Sequence, residues 1–295
     1  MNYKVMQIEA SNLCSLTCVY CPHPTQKRPK GDMSMAVFEK CMELVRRSSN
    51  PERAGRKFVW LNHFGEPLLN PLLPDFISRA TALGIEVSFS TNAVSHDKQP
   101  FSQDLWRRLA NAGLKGVIIS THARSERRLR EHLGGIVEIF GVWSPAHDMM
   151  HDWAGQVAPA NFEMRAIPPP ASRPCDYETE NMFAVSWDGR IAACCYDIEA
   201  VTGFTVDDVL ASGFRFERIG LCSGCTLGRG DVSCLEAPGS VRAANGGLNR
   251  LYSDFMLRLA GWRRRGIGWR TGFSLPGRST ATSRDSLRGN GSRRP

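Results

Sequence analysis

Apolar residues along the first 160 positions fall into two alternating patterns. Dense runs at 5–10 (VMQIEA), 58–64 (FVWLNHF), 85–91 (IEVSFST) and 116–121 (GVIIST) read as buried strands. Between them, Met35–Arg47 repeats Val37, Cys41 and Leu44 on one helical face, and 73–83 and Gln103–Ala112 also suit helices. Strand, helix, strand in regular order calls for right-handed crossovers onto a parallel sheet, either open or curled into a partial or complete barrel. The expected fold over 1–160 is α/β, with function at the C-terminal ends of its strands.

Beyond this the pattern changes. Residues 144–174 are rich in Pro, Ala and His, include Pro168-Pro169-Pro170, and read as a linker. Positions 182–196 alternate around Asp188-Gly189, a two-residue turn signal for a β-hairpin, and a short helix at 206–219 leads into Cys222. From Leu248 to Leu259 one apolar stripe marks a packed helix, with Arg263 to Arg265 favourable at its C-terminal dipole. The expected domains are the barrel, a small hairpin-containing domain at 170–236, a C-terminal helix at 246–266 and a disordered basic tail at 274–295.

Charge adds one correction to a first impression. The formal +8 points to nucleic acid, yet residues 257–295 hold ten Arg against Asp285 alone, which leaves 27 basic and 28 acidic side chains elsewhere. The body therefore has no bias toward phosphate, and neither nucleic acid nor membrane is an expected partner. No apolar run approaches the roughly 20 residues of a membrane span, and the first residues lack a secretory layout, so the cytoplasm is the expected compartment. Ten cysteines in a reducing compartment point to metal more than to disulfides.

Cys14-Ser-Leu-Thr-Cys18-Val-Tyr-Cys21 begins just past the first expected strand and puts three thiols on one loop. Three ligands leave one metal position open, as chemistry requires and a structural site does not. The C-x3-C-x2-C spacing, with aromatic Tyr20 before the last cysteine, resembles the radical S-adenosylmethionine (SAM) superfamily. That resemblance implies a partial (β/α)6 TIM-type barrel over 1–160 and a 4Fe-4S cluster on Cys14, Cys18 and Cys21, with SAM chelating the fourth iron. It also implies reductive cleavage of the sulfonium to a 5′-deoxyadenosyl radical, which removes hydrogen from an unactivated C–H bond. An electron donor such as flavodoxin or ferredoxin would feed the cluster. Further matches stand at successive strand ends: Phe64-Gly65-Glu66-Pro67, Ser90-Thr91-Asn92 and Ser120-Thr121-His122. They assign Tyr20, Gly65, Glu66, Pro67, Ser90, Asn92 and Ser120 to SAM.

Cys175, Cys194, Cys222 and Cys225 form a second group. By spacing alone a zinc ribbon serves as well as an iron-sulfur site. The pattern C-x13-G-x4-C followed by C-x2-C resembles the twitch module, a shortened SPASM domain, which implies a second, fully ligated 4Fe-4S cluster that moves electrons. Over residues 4–235 the layout is similar to the superfamily's aminoglycoside epimerases and aminocyclitol dehydrogenases, which implies an aminosugar or aminocyclitol substrate and antibiotic biosynthesis.

Three cysteines remain. Cys41 lies on an apolar helix face and belongs to the core. Cys195 follows a ligand in an expected strand and should point away from it. Cys234 sits in a Gly-rich stretch and is the expected hydrogen-atom donor, with Cys195 as the alternative and cluster ligation by Cys234 a third role. This favours an epimerase over a dehydrogenase. Arg165 falls where a relative has an arginine near the substrate hydroxyl, and Asp197, Glu199 and Asp231 are candidates for holding a cationic substrate. Peptide modification and a non-enzymatic zinc or nucleic-acid module are the other readings. The first cysteine at position 14 leaves little room for a leader-binding domain, and the open three-cysteine site is unexplained by a zinc module.

Overall fold

A computed structural model describes residues 2–120, 123–143, 153–157 and 175–225. Thr121, His122, Arg165, Asp231, Cys234, most of the expected linker, the C-terminal helix and the basic tail lie outside the described residues. The elements run β1 (Lys4–Ile8), α1 (Met35–Arg47), β2 (Glu52–Arg53), β3 (Arg56–Trp60), α2 (Leu73–Ala82), β4 (Ile85–Thr91) and α3 (Gln103–Ala112). They continue with β5 (Val117–Ser120), α4 (Ala123–Leu133), β6 (Ile139–Trp143), α5 (Asp176–Thr179), β7 (Met182–Val185), β8 (Ile191–Ala192) and α6 (Val206–Ser212).

The sheet order is β6-β5-β4-β3-β1-β7-β8, with β2 paired to β3. Every neighbour pair from β6 through to β7 is parallel, and β2 and β8 are antiparallel additions. This is the α/β architecture expected of a partial TIM barrel. Local chemistry agrees with the helix ends. Ser34 and Ser102 cap α1 and α3 through their hydroxyls, and Gly113 closes α3 at φ +105. The inner face of α1 buries Phe38, Cys41, Met42, Leu44 and Val45, so Cys41 is a core residue as its spacing predicts.

Four features differ from the sequence expectation. Strand β3 ends at Trp60 and not at Phe64, because the chain turns out of the sheet there. Elements α4 and β6 were not anticipated: α4 carries only two leucines, Leu129 and Leu133, both buried, among charged residues. The hairpin loop is longer than a two-residue turn. Ser186 N–H donates to Arg190 O and Gly189 N–H to Ser186 O, enclosing Trp187, Asp188 and Gly189, with Gly189 at φ +84 in the left-handed position that such a loop needs. Finally, the hairpin is not set apart from the barrel. Strand β7 pairs with β1 along Lys4–Ile8, and all four of its residues are buried. Pairing there satisfies backbone groups that β1 would otherwise present on a bare edge.

Candidate active site

The first cysteine loop leaves β1 at Glu9 and is closed at its neck by Asn12. The Asn12 side chain accepts from Gly31 N–H (2.7 Å) and donates to Gln26 Oε1 (3.0 Å) and Pro29 O (2.9 Å). Its buried amide is thereby fully used, which fixes the segment from 13 to 30 as one closed loop. Cys14, Cys18 and Cys21 are half-buried thiols on it, and Cys14 and Cys18 are close enough for each to act on the ionisation of Cys21. Burial pushes Cys21 up to about 12 and raises Cys14 as well. Cys14 and Cys21 are therefore held as protonated thiols, which a bound metal cation would deprotonate. Cys14 Sγ also faces the N–H of Leu16 (3.5 Å) and Nδ2 of Asn92 (3.7 Å). Three soft donors, partly desolvated and with N–H groups aimed at one sulfur, fit an iron-sulfur cluster. Tyr20 is half-buried, with its hydroxyl on Cys18.

Gly65 and Glu66 tie this loop to β4. Gly65 has φ +96, and a Cβ there would lie 2.5 Å from Ser11 O and 2.7 Å from Asn12 Cα and Leu13 O. Only glycine permits so close an approach of backbone to backbone. Glu66 N–H then donates to Leu13 O (2.7 Å). The Glu66 side chain was expected to meet SAM, but the structure gives it a bracing place. It is buried, and it accepts from Thr91 Oγ1 (2.6 Å), Asn92 N–H (2.7 Å) and Leu68 N–H (3.1 Å). Asn92 in turn exchanges hydrogen bonds with Ser15 (3.2 Å), one residue from Cys14. Ser90 and Ser120 stand half-exposed at the ends of adjacent strands β4 and β5, on the side the chemistry requires, and Pro67 opens the short turn Pro67–Leu69.

Burial raises Glu66 from its ordinary 4.5 to about 7 against the pull of its donors. The native carboxyl therefore keeps its proton where the unfolded one has lost it, and stability falls as pH rises from about 4.5 through 7. The expected size is about 3 kcal/mol across that window. Glu66→Gln should flatten the dependence. Urea unfolding of both proteins between pH 4.5 and 7.5 measures it, and parallel curves would refute the assignment.

The second cysteine group gathers at the barrel's β7 border. Cys175, Cys194 and Cys195 pack on one apolar cluster of Met6, Phe58, Trp60, Ile118, Tyr177 and Met182. Cys175 and Cys222 both lie within electrostatic reach of Arg218, and Cys225 acts likewise on Cys194. The four expected ligands are thus brought to one region, while among the described residues no three His, Cys, Asp or Glu side chains stand at single-ion spacing. Cys195 does not point away from Cys194. The chain leaves the strand at Ala192, so alternation ends before the two cysteines, and Cys195 raises Cys194 as a near neighbour. Asp197 causes this bend by accepting from Ala193 N–H (2.9 Å) and Val201 N–H (3.2 Å). Asp197 is therefore buried in the loop's own scaffold, and Glu199 is occupied by Lys27 and Arg28 N–H groups (2.8 and 2.9 Å). The Asp197 carboxylate is thus not displayed to a cationic substrate, whereas Glu199 stays half-exposed.

Three residues between the two cysteine groups went unmarked in the sequence. Trp153 donates to Tyr20 O (2.9 Å), and its ring lies 5.6 Å from Phe64 and 5.0 Å from Tyr196. Arg28 forms a buried ion pair with Glu9 at 2.6 Å. His63, three residues past β3, faces the backbone of Cys194 and Cys195, and burial beside Arg28 pushes it down to about 3. The usable signal was the acidic Glu9 and basic Arg28 in otherwise apolar or closed segments, since buried charge is retained only where it is paired.

Known proteins place this geometry. The Radical SAM superfamily model matches residues 8–139, the barrel segment that carries the first cysteine loop, so that this segment is similar to proteins that hold one 4Fe-4S cluster and SAM. Among curated proteins, the S-adenosyl-L-methionine-dependent 2-deoxy-scyllo-inosamine dehydrogenase of Niallia circulans is 26% identical over 130 residues, 43% of this chain and 48% of that one. The PqqA peptide cyclase of Xanthomonas campestris is 30% identical over 115 residues, 38% of this chain and 27% of the cyclase. The chain thus spans less than half the length of either. Among solved structures, BtrN in complex with AdoMet and 2-DOIA superposes with a TM-score of 0.56 at 20% identity, covering 77% of this chain and 88% of BtrN, a likeness of fold. Among the described residues no helix is long and apolar enough to cross a membrane.

Proposed function

We propose that the chain is a radical SAM alcohol dehydrogenase acting on an amine-bearing cyclitol or sugar. The observation that carries this is the second cysteine group beside the first. Oxidising an alcohol carbon removes one hydrogen atom, one proton and one further electron, and the electron needs an acceptor. Cys175, Cys194, Cys222 and Cys225 would hold a second 4Fe-4S cluster for that purpose. When bound, the first cluster and SAM supply a radical able to take hydrogen from an unactivated C–H bond. The chain's own residues supply the setting: Asn12 and Gly65 fix the cysteine loop, Asn92 links it to β4, and Trp153 bridges Tyr20 to Phe64 and Tyr196. The partial match to the Niallia dehydrogenase favours this reading over the epimerase that the sequence led us to expect.

Epimerisation is kept as a second reading on one observation: Cys195, beyond the four ligands, packs on the same apolar cluster as Cys194. A thiol there could return hydrogen to the opposite face of a substrate radical. Cys234 could do the same, and Arg165 could orient the hydroxyl, although both fall outside the described residues. The test is anaerobic incubation of the two-cluster protein with SAM, a strong reductant and a panel of aminocyclitols and aminoglycosides. A ketone lighter by two hydrogens, with one 5′-deoxyadenosine per product, is expected. An unchanged mass in water, with one solvent deuterium incorporated in deuterium oxide, would replace the dehydrogenase by the epimerase.

A further inference from the structure

The Glu9 carboxylate is wholly buried, and four different segments meet on it. Glu9 itself directly follows β1. Its Oε1 accepts from Arg28 Nη2 (2.6 Å), in the closing arm of the first cysteine loop, and from Phe64 N–H (3.1 Å), at the start of the Gly65 segment. Its Oε2 accepts from Trp187 N–H (3.1 Å), at the tip of the hairpin that leads to Cys194. Arg28 continues the junction on its other side, donating from Nε to Ile198 O (2.6 Å), while its backbone N–H and that of Lys27 grip Glu199. Gln26 Nε2 also donates to Ile198 O (3.0 Å), and Trp187 Nε1 to Pro29 O (3.1 Å). The Trp187 ring lies so close to Gly31 that a Cβ there would fall 2.7 Å from it.

A buried ion pair is a weak source of stability, since apolar residues of similar volume often serve as well, and its best-attested use is to fix register. Here the partners other than Phe64 lie in the segments that carry the two cysteine groups: Arg28 closes the first cysteine loop, and Trp187 and Ile198 flank Cys194. Beside the pair, Arg28 Nη1 is buried without a hydrogen-bond partner among the described residues, and the buried ring of His63 has the backbone of Cys194 and Cys195 as its polar neighbours. His63 meets the Cys194–Cys195 backbone from the β3 side, so the same wedge touches both halves of the site.

We infer that the Glu9–Arg28 pair, with His63 beside it, is a positioning device that holds the Cys194 loop in one register against the Cys14–Cys21 loop and so sets the spacing of the two metal centres. This rests on the two-cluster reading above. Glu9 and Arg28 touch neither substrate nor cofactor in this role, and act through the loops they join. Arg28 is required as a fork: its Nη2 reaches Glu9 while its Nε reaches Ile198, and a lysine cannot make both bonds at once.

The test uses the full chain with its clusters reconstituted, as wild type, as Arg28→Lys and as the apolar double variant Glu9→Leu/Arg28→Met. Iron content and thermal unfolding establish that each protein is folded and loaded. The readout is the magnetic interaction between the two reduced clusters by electron paramagnetic resonance, together with 5′-deoxyadenosine formed per product. In folded variants holding two clusters, the spin–spin splitting should change, and 5′-deoxyadenosine per product should rise about ten- to a hundred-fold, since a displacement of the order of 1 Å is enough to uncouple a reaction. Wild-type splitting and wild-type coupling in a two-cluster Arg28→Lys or double variant would overturn the inference and leave the dehydrogenase standing. A wild-type chain that takes up only four irons would instead overturn the second cluster, and the inference with it.

Discussion

Cys18→Ala is expected to give a folded protein without a working cluster, its cleavage of SAM slowed at least about a thousand-fold, which corresponds to about 4 kcal/mol in the barrier. Cys18 is half-buried on a loop whose shape is held by other residues: Asn12 at the neck, Glu66 N–H on Leu13 O, and Gly65 packed on the Ser11–Leu13 backbone. Removing one sulfur there leaves those bonds in place, so the iron-free protein should lose no more than about 0.5 kcal/mol of stability. Cys41→Ala makes the opposite case. Cys41 is wholly buried in α1 and touches no cysteine loop, so its loss should cost about 1 kcal/mol or more while iron content stays intact. Iron analysis and urea unfolding on both variants separate the two roles. A Cys18→Ala protein that still holds its full complement of iron and cleaves SAM would remove the first site from this account.

Gly65→Ala is expected to be the most damaging single methyl in the barrel. Its Cβ would press on three backbone atoms at 2.5 to 2.7 Å, none of which can swing aside as a side chain can, and the residue would have to hold φ +96. Left-handed strain of about 1 to 2 kcal/mol adds to an overpacking cost of about 1 to 3 kcal/mol. The sum falls on the contact between the Glu66 segment and the cysteine loop, so cluster uptake should drop along with stability. A fall in the urea midpoint at unchanged m would report the loss directly. If the midpoint shifts by less than about 1 kcal/mol in free energy, the close approach is not what requires glycine here.

The sequence made the barrel legible because local signals and burial coincide there. Met35–Arg47, Gln103–Ala112 and Ile85–Thr91 carry their periodicity and caps within a few residues, and the structure begins and ends them where the pattern does. The three-cysteine loop was equally plain, since spacing within eight residues needs no tertiary knowledge. What the pattern could not convey depends on residues far apart in the chain. Glu66 is assigned to SAM by resemblance, and what holds it is set far along the chain: its donors Thr91, the last residue of β4, and Asn92 just after it lie 25 and 26 residues away. Cys195 was placed by strand alternation, which stops at Ala192 because Asp197, four residues past Ala193, turns the chain by accepting from Ala193 N–H. The Glu9–Arg28 pair joins a strand end to a loop with no motif between them, and its partners at Trp187 and Ile198 arrive some 170 residues later.

The pairing of β7 with β1 carries a consequence for how such a chain can be taken apart. The segment carrying the second cysteine group could be imagined as a bolt-on, removable by cutting the chain after β6. Here its first strand forms the border of the barrel itself, with Met182 beside Lys4 and Val185 beside Ile8. Excising it would strip the margin of the sheet that launches the first cysteine loop and leave that margin open to pairing with other molecules. The two halves are one indivisible construction, and recombination between relatives would have to exchange both or neither.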